Sequence, residues 1–302
     1  MKISESQLFG RMCQDLSLQS ESLKRIISTA PLRYKKFRIP KRSGGWREVA
    51  QPAREVKKLQ YWIIRELGDI LPVSDHATAY RDSISIKNNA LVHDGSNYLL
   101  KMDFASFFPS IKFSDLSQHL SKYVKELTAD DIGVIALTTL WTPNREPPLR
   151  LCIGAPSSPL LSNSILFDFD ALVSKSLPDS VKYTRYADDL FFSTQESNQL
   201  SYVERLVRET VHELAYPALS FNDNKTVNVS RNSRRSVTGV VLKPDGGLSV
   251  GRERKRIARA MCHKLSIGRL SADEEAKLRG LLAFISSIEP RFAERLKSKY
   301  SI

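Results

Sequence analysis

The chain has 302 residues, 41% of them apolar and 26% charged, a composition that excludes disorder as the default state and leaves material for one or two hydrophobic cores. Its three cysteines, Cys13, Cys152 and Cys262, stand far apart without a CxxC spacing, which argues against a disulfide framework or a zinc site and fits a reducing cytoplasm. The formal charge of +13 points to a polyanionic partner; no run approaches membrane-spanning length, and the first thirteen residues lack the apolar core of a leader peptide.

In chain order, Ser20 is placed to cap a helix over 20–28, and 34–40 and 46–50 read as two strands of a basic hairpin that turns at Ser43, Gly44 and Gly45. Val56, Leu59, Ile63, Leu67 and Ile70 recur at helical spacing up to Pro72 and form a core stripe without chemical work. A short helix over 86–93 stops near Gly95, and 98–103 is a brief apolar strand with a carboxylate, Asp103, at its end. Helices follow over 114–124 and 131–140, then a proline-rich connection over 143–148, and the turn at 154–159 leads into one long helix through 176.

There the period changes. Strands over 181–186 and 190–193 flank Ala187, Asp188 and Asp189, which places both acids at the tip of a tight hairpin. A helix over 202–214 and strands over 226–229 and 237–242 complete the pattern. The order strand, helix, strand, strand, helix, strand predicts an antiparallel sheet with helices packed on one face, the α+β class. Beyond residue 224 there are 18 Lys and Arg against 7 Asp and Glu, so the excess positive charge is carboxy-terminal. Arg252, Arg254, Lys255, Arg256 and Arg259 fall on one predicted helix, where like charges repel unless an anion such as a phosphate backbone compensates.

Two adjacent acids on a turn also repel each other, a strain that a divalent cation relieves. Asp103, from a neighbouring strand, completes a set for two ions roughly 3.5 to 4 Å apart, which activate an attacking hydroxyl and stabilise a departing pyrophosphate. The dipeptide alone is no more than a common turn former. In this chain, however, Tyr186-Ala187-Asp188-Asp189 occurs together with Asp103-Phe104-Ala105-Ser106-Phe107-Phe108-Pro109-Ser110 and Gly154-Ala155-Pro156-Ser157-Ser158-Pro159. From about residue 31 to its end the chain thus resembles the reverse transcriptases. Asn89-Ala90-Leu91-Val92-His93 and Val237-Thr238-Gly239 match the NAxxH and VTG elements of bacterial retron reverse transcriptases.

The resemblance implies a right-hand polymerase: an amino-terminal helix and fingers over 1–93, a palm over 94–242 with an inserted fingers segment around 127–153, and a basic helical thumb over 243–302. It implies two Mg2+ ions, with Mn2+ as substitute, held mainly by Asp103 and Asp188, with Asp189 a weaker or outer ligand and the Phe104 carbonyl a further oxygen. Phe108 matches an aromatic gate that excludes ribonucleotides. Its neighbour Phe107 is assigned to the core, because successive strand residues face opposite sides. Arg47, with Lys41 or Arg42, matches a triphosphate clamp. Gly154 and Ala155 would border the nascent pair, and Lys225 would stand near the leaving pyrophosphate. The family commonly has Gln where this chain has Ile153.

Asn89, His93, Val237, Thr238, Gly239, Arg234, Arg235 and the basic helix are expected at RNA. The implied activity is reverse transcription of a cognate structured noncoding RNA, primed from a guanosine 2′-hydroxyl, into RNA-linked single-stranded DNA, within a phage-defence system that includes a separate effector protein. Expected partners are that RNA, its RNA–DNA product and dNTPs, with no membrane. A group II intron protein would need further domains beyond residue 302, an RNA-dependent RNA polymerase would not need Phe108, a nucleotidyl cyclase would not need the basic helix, and a non-catalytic RNA scaffold would not need the acids.

Overall fold

The computed structural model describes residue 3, residues 6–41 and residues 44–300, so Arg42 and Ser43 lie outside the described residues. The chain opens with α1 (Gln7–Leu16), whose cap Ser6 accepts the Phe9 N–H on its hydroxyl, and α2 (Ser20–Thr29). Gln19 rather than Ser20 stands at the α2 cap position, so Ser20 is already helical. β1 (Tyr34–Pro40) and β2 (Trp46–Pro52) pair antiparallel from Tyr34↔Pro52 to Pro40↔Trp46. α3 (Arg54–Leu67) buries Val56, Leu59, Ile63 and Leu67. Ile70 does not join that stripe: the helix ends at Gly68, and Ile70 is 54% exposed.

α4 (Ile86–Val92) starts with a reciprocal cap between Ser85 and Asn88 and ends at His93. It precedes β3 (Tyr98–Asp103), after which Ser106, at φ 48°, starts the single turn α5 (Phe107–Ser110). Phe107 is buried as expected, but by helical placement rather than strand alternation. α6 (Phe113–Tyr123) and α7 (Ala129–Thr139) follow. The expected long helix is two, α8 (Ser158–Ile165) and α9 (Phe167–Ser176), broken where Leu166 leaves helical geometry at ψ 7°. The break lets Leu161 and Ile165 before it, and Phe169 and Val173 after it, all be buried.

β4 (Lys182–Tyr186), β5 (Asp189–Thr194), α10 (Gln199–Glu213) and β6 (Val227–Ser230) come next. The strand expected over 237–242 is instead a hairpin, β7 (Arg235–Val237) and β8 (Val240–Leu242), reversed at Thr238 (φ 47°) and Gly239 (φ 82°). β9 (Leu248–Ser249) adds a third strand, and α11 (Arg252–Ser266), α12 (Ala272–Ile288) and α13 (Pro290–Tyr300) close the chain. Among the described residues no helix is long and apolar enough to cross a membrane.

The chain divides into two compact units. The first comprises Met1–Ala77, Phe104–Ser176 and Val207–Phe221; within it Phe104 packs its ring against Phe107, Phe169 and Phe221. The second comprises Thr78–Asp103, Leu177–Leu206 and Asn222–Ile302. It holds a four-stranded antiparallel sheet in the order β4-β5-β3-β6. Its apolar core runs from Leu99 and Phe191 through Val237, Val240 and Leu248 to Cys262, Leu278, Ile285 and Leu296 of the last three helices.

Candidate active site

The second unit gathers the three acids on its sheet. β3 ends on Asp103 and β5 begins on Asp189, and the antiparallel register sets these two residues directly opposite each other. β4 and β5 pair Tyr186 with Asp189, leaving a two-residue connection, Ala187 and Asp188, with Ala187 in the left-handed region at φ 57°. Asp188 alone is therefore at the hairpin tip; Asp189, expected beside it there, is already a ladder residue, and this sets it against Asp103.

Two ammonium groups reach the acids. Lys225 Nζ lies 2.8 and 3.0 Å from the two carboxylate oxygens of Asp103, and Lys101 Nζ lies 2.8 Å from Asp189 Oδ1. Asp103 is buried. Burial, followed by the charges of Asp189 and Asp103, pushes the Asp188 carboxyl up to about 6. Burial also raises Asp189, against the pull of Lys101. Three partly desolvated carboxylates at close quarters favour a cation between them. Among the described residues no three His, Cys, Asp or Glu side chains form a ready-made metal cage; lysines hold two of these acids instead. The donor set still fits a hard divalent ion, being carboxylate oxygen throughout. Lys101 escaped the sequence reading, although its place two residues before Asp103, on the same strand face, was the available signal.

In the first unit Phe108 is half-buried and meets Phe107 edge-on. Lys41 and Arg47 are exposed on the hairpin. Gly154 has φ 107°, and a Cβ there would sit 2.7 Å from Val49 Cγ1 and 3.0 Å from the Ala50 carbonyl oxygen. The need for glycine thus comes from β2, whose Ala50 N–H donates to the Ile153 carbonyl. Ala155 is buried.

The residues expected at RNA divide by burial. Asn89, His93 and Val237 are fully buried, so they have no surface for direct contact. His93 instead ties α4 to the sheet through Ser193 and Thr184, and Val237 is core. Arg235 is also buried, donating to the Lys243 carbonyl. Thr238 and Gly239 form the turn between β7 and β8; Arg254 donates to the Gly239 carbonyl at 2.6 Å and lies over Phe284. Lys255 is paired with Glu289. Arg234, Arg252, Arg256 and Arg259 are exposed.

Residues 39–242 match a family model described as reverse transcriptase (RNA-dependent DNA polymerase). The chain is 38% identical over 270 residues to the Retron Ec83 reverse transcriptase of Escherichia coli, covering 88% of this chain and 86% of that one. It is 31% identical over 286 residues to the Retron Ec73 reverse transcriptase of Escherichia coli, covering 91% of this chain and 89% of that one. The Retron Mx65 reverse transcriptase of Myxococcus xanthus is 34% identical over 280 residues, or 87% of this chain and 63% of the relative. Among solved structures, telomerase from Candida albicans in complex with a TWJ fragment of telomeric RNA superposes with a TM-score of 0.51 at 12% identity, over 89% of this chain and 55% of that one, a likeness of fold alone.

Proposed function

The chain belongs to the reverse transcriptase (RNA-dependent DNA polymerase) family, in its retron type, and from that premise we propose that Asp103, Asp188 and Asp189 serve nucleotidyl transfer with two divalent ions. It is an RNA-directed DNA polymerase, and its template is RNA. The observation that carries the proposal is the cross-strand opposition of Asp103 and Asp189 beside an Asp188 whose carboxyl is pushed up to about 6. Mg2+, or Mn2+ in its place, supplies when bound the Lewis acidity that lowers the pKa of the attacking hydroxyl and neutralises the leaving phosphate.

The chain's own groups do the rest. Asp103 and Asp188 present the main oxygen ligands, with the Phe104 carbonyl as a lesser one and Asp189 behind them as an outer acid. Lys225, beside Asp103, offers an ammonium to the departing pyrophosphate. Arg47 and Lys41 grip the triphosphate, Gly154 and Ala155 border the base pair, and Phe108 rejects the ribose 2′-hydroxyl. The exposed arginines of α11 hold RNA and RNA–DNA duplex through phosphate. The fingers, palm and thumb are 1–93, 94–242 and 243–302. The substrate we propose is a cognate structured noncoding RNA, primed from a guanosine 2′-hydroxyl, with RNA-linked single-stranded DNA as product and a separate effector protein as partner in phage defence.

Primer extension on an RNA template tests the core of this reading. With Mg2+ and dNTPs the wild type extends the primer, and Asp188→Asn loses activity by on the order of 1,000-fold. Wild-type protein that extends no primer, even on the RNA encoded beside its gene, overturns it. Phe108→Ala admits rNTPs that the wild type refuses.

A further inference from the structure

β3 and β5 fix the order of four side chains. Lys101 and Asp103, two residues apart on β3, share a face. Across the ladder Asp189 stands opposite Asp103 and Phe191 opposite Lys101, which makes Asp189 the diagonal neighbour of Lys101. A diagonal pair is beyond a short side chain and within reach of a long one. Lys101 uses that reach: its ammonium lies 2.8 Å from Asp189 Oδ1 and 5.5 Å from the centroid of the Phe191 ring.

The two lysines of the site are not equivalent. The Lys225 side chain is 50% exposed and regains much of its hydration on leaving, but Asp103 beneath it is only 6% exposed, so Lys225 leaves when a cation takes over its charge. The Lys101 side chain is 32% exposed, holds a carboxylate that is itself 24% exposed, and lies over an aromatic ring. A cation arriving at the acids displaces Lys225 more readily than Lys101, and the retained ammonium repels a second positive charge at Asp189.

Resting on the polymerase reading of the three acids, we infer that Lys101 is a positioning residue that commits Asp189 to an internal ion pair and leaves both divalent ions to Asp103 and Asp188. Asp189 then shapes the site through its charge and its place in the ladder, not as a ligand.

Mn2+ binding to the full chain without nucleotide, followed by electron paramagnetic resonance, reads this directly. Asp189→Asn keeps Mn2+ affinity within about twofold of wild type, whereas Asp188→Asn weakens it about tenfold or more. Lys101→Met releases Asp189 and tightens Mn2+ about fivefold, Lys101→Arg keeps wild-type affinity, and the gain disappears when Lys101→Met is combined with Asp189→Asn. If Asp189→Asn weakens Mn2+ as much as Asp188→Asn does, or if the Lys101→Met gain survives in the Asp189→Asn background, the inference is overturned. Should Lys101→Met not fold, Lys101→Gln takes its place in the same two backgrounds and decides. Primer extension by the wild type separates the two ideas. Extension together with an Asp189→Asn defect in Mn2+ binding removes only the role of Lys101; Mn2+ binding as expected without extension removes only the polymerase reading.

Discussion

His93 closes α4 with both ring nitrogens engaged, Nδ1 at 2.8 Å from Ser193 Oγ and Nε2 at 2.7 Å from Thr184 Oγ1. A neutral imidazole carries one donor and one acceptor, which two hydroxyls can match. Burial, with Lys182 adding to it, makes the imidazolium costly and pushes the pKa down to about 3. The unfolded chain takes up this proton near its ordinary value of about 6.5, and the folded chain not until about 3. Stability from His93 is therefore complete above the unfolded pKa and is lost as pH falls through that window. The loss is about 1.4 kcal/mol per pH unit, or about 2 kcal/mol between pH 6.5 and 5. His119, buried against Ser164 and lowered to about 4, acts in the same direction. Urea unfolding at pH 7 and pH 5 checks this: the wild type loses stability on acidification, and His93→Gln, less stable at pH 7, shows a flatter dependence. An unchanged pH dependence in the variant would falsify the assignment.

At the scale of elements, the turn at Gly154 is held by its neighbour in space. Its backbone is left-handed, and the Val49 side chain and Ala50 carbonyl of β2 fill the place of a Cβ. Gly154→Ala combines a strained φ with an overlap against the Val49 side chain and a tight approach to the Ala50 carbonyl, and costs about 2 kcal/mol or more. A thermal melt should show that loss, and a melting temperature equal to wild type would refute the account. The hairpin of β7 and β8 also turns on glycine, but there the reading of 237–242 as one strand missed a local cue. Thr238-Gly239 between valines is a two-residue turn signal, and apolar period-2 patterning hides it because Val237 and Val240 are both buried.

For the whole molecule, the positive charge is divided between structure and surface. Lys255 is spent on Glu289, Arg254 on the Gly239 carbonyl and Arg235 on the interior, whereas Arg252, Arg256 and Arg259 stay exposed on α11. Replacing these three by alanine should weaken RNA binding and reduce the slope of log affinity against log salt by about 2 to 3. Lys255→Ala should change that slope little and lower the melting temperature instead. Filter binding across a salt series distinguishes them, and equal slopes for triple variant and wild type would remove α11 from the RNA interface.

Features that depend on near neighbours were legible along the chain: the strands and helices set by hydrophobic period, the carboxylate at the end of β3, the Asp pair after β4, and the accumulation of basic residues beyond residue 224. Those patterns are local because a side chain's face follows from its spacing along the chain. What depends on partners distant in sequence came from the folded arrangement. It set Asp189 in the ladder opposite Asp103, put Lys101 on Asp189, turned Asn89, His93 and Val237 inward, and pressed β2 against Gly154. Register across a sheet and burial against another element are properties of two segments together, and neither segment carries them alone.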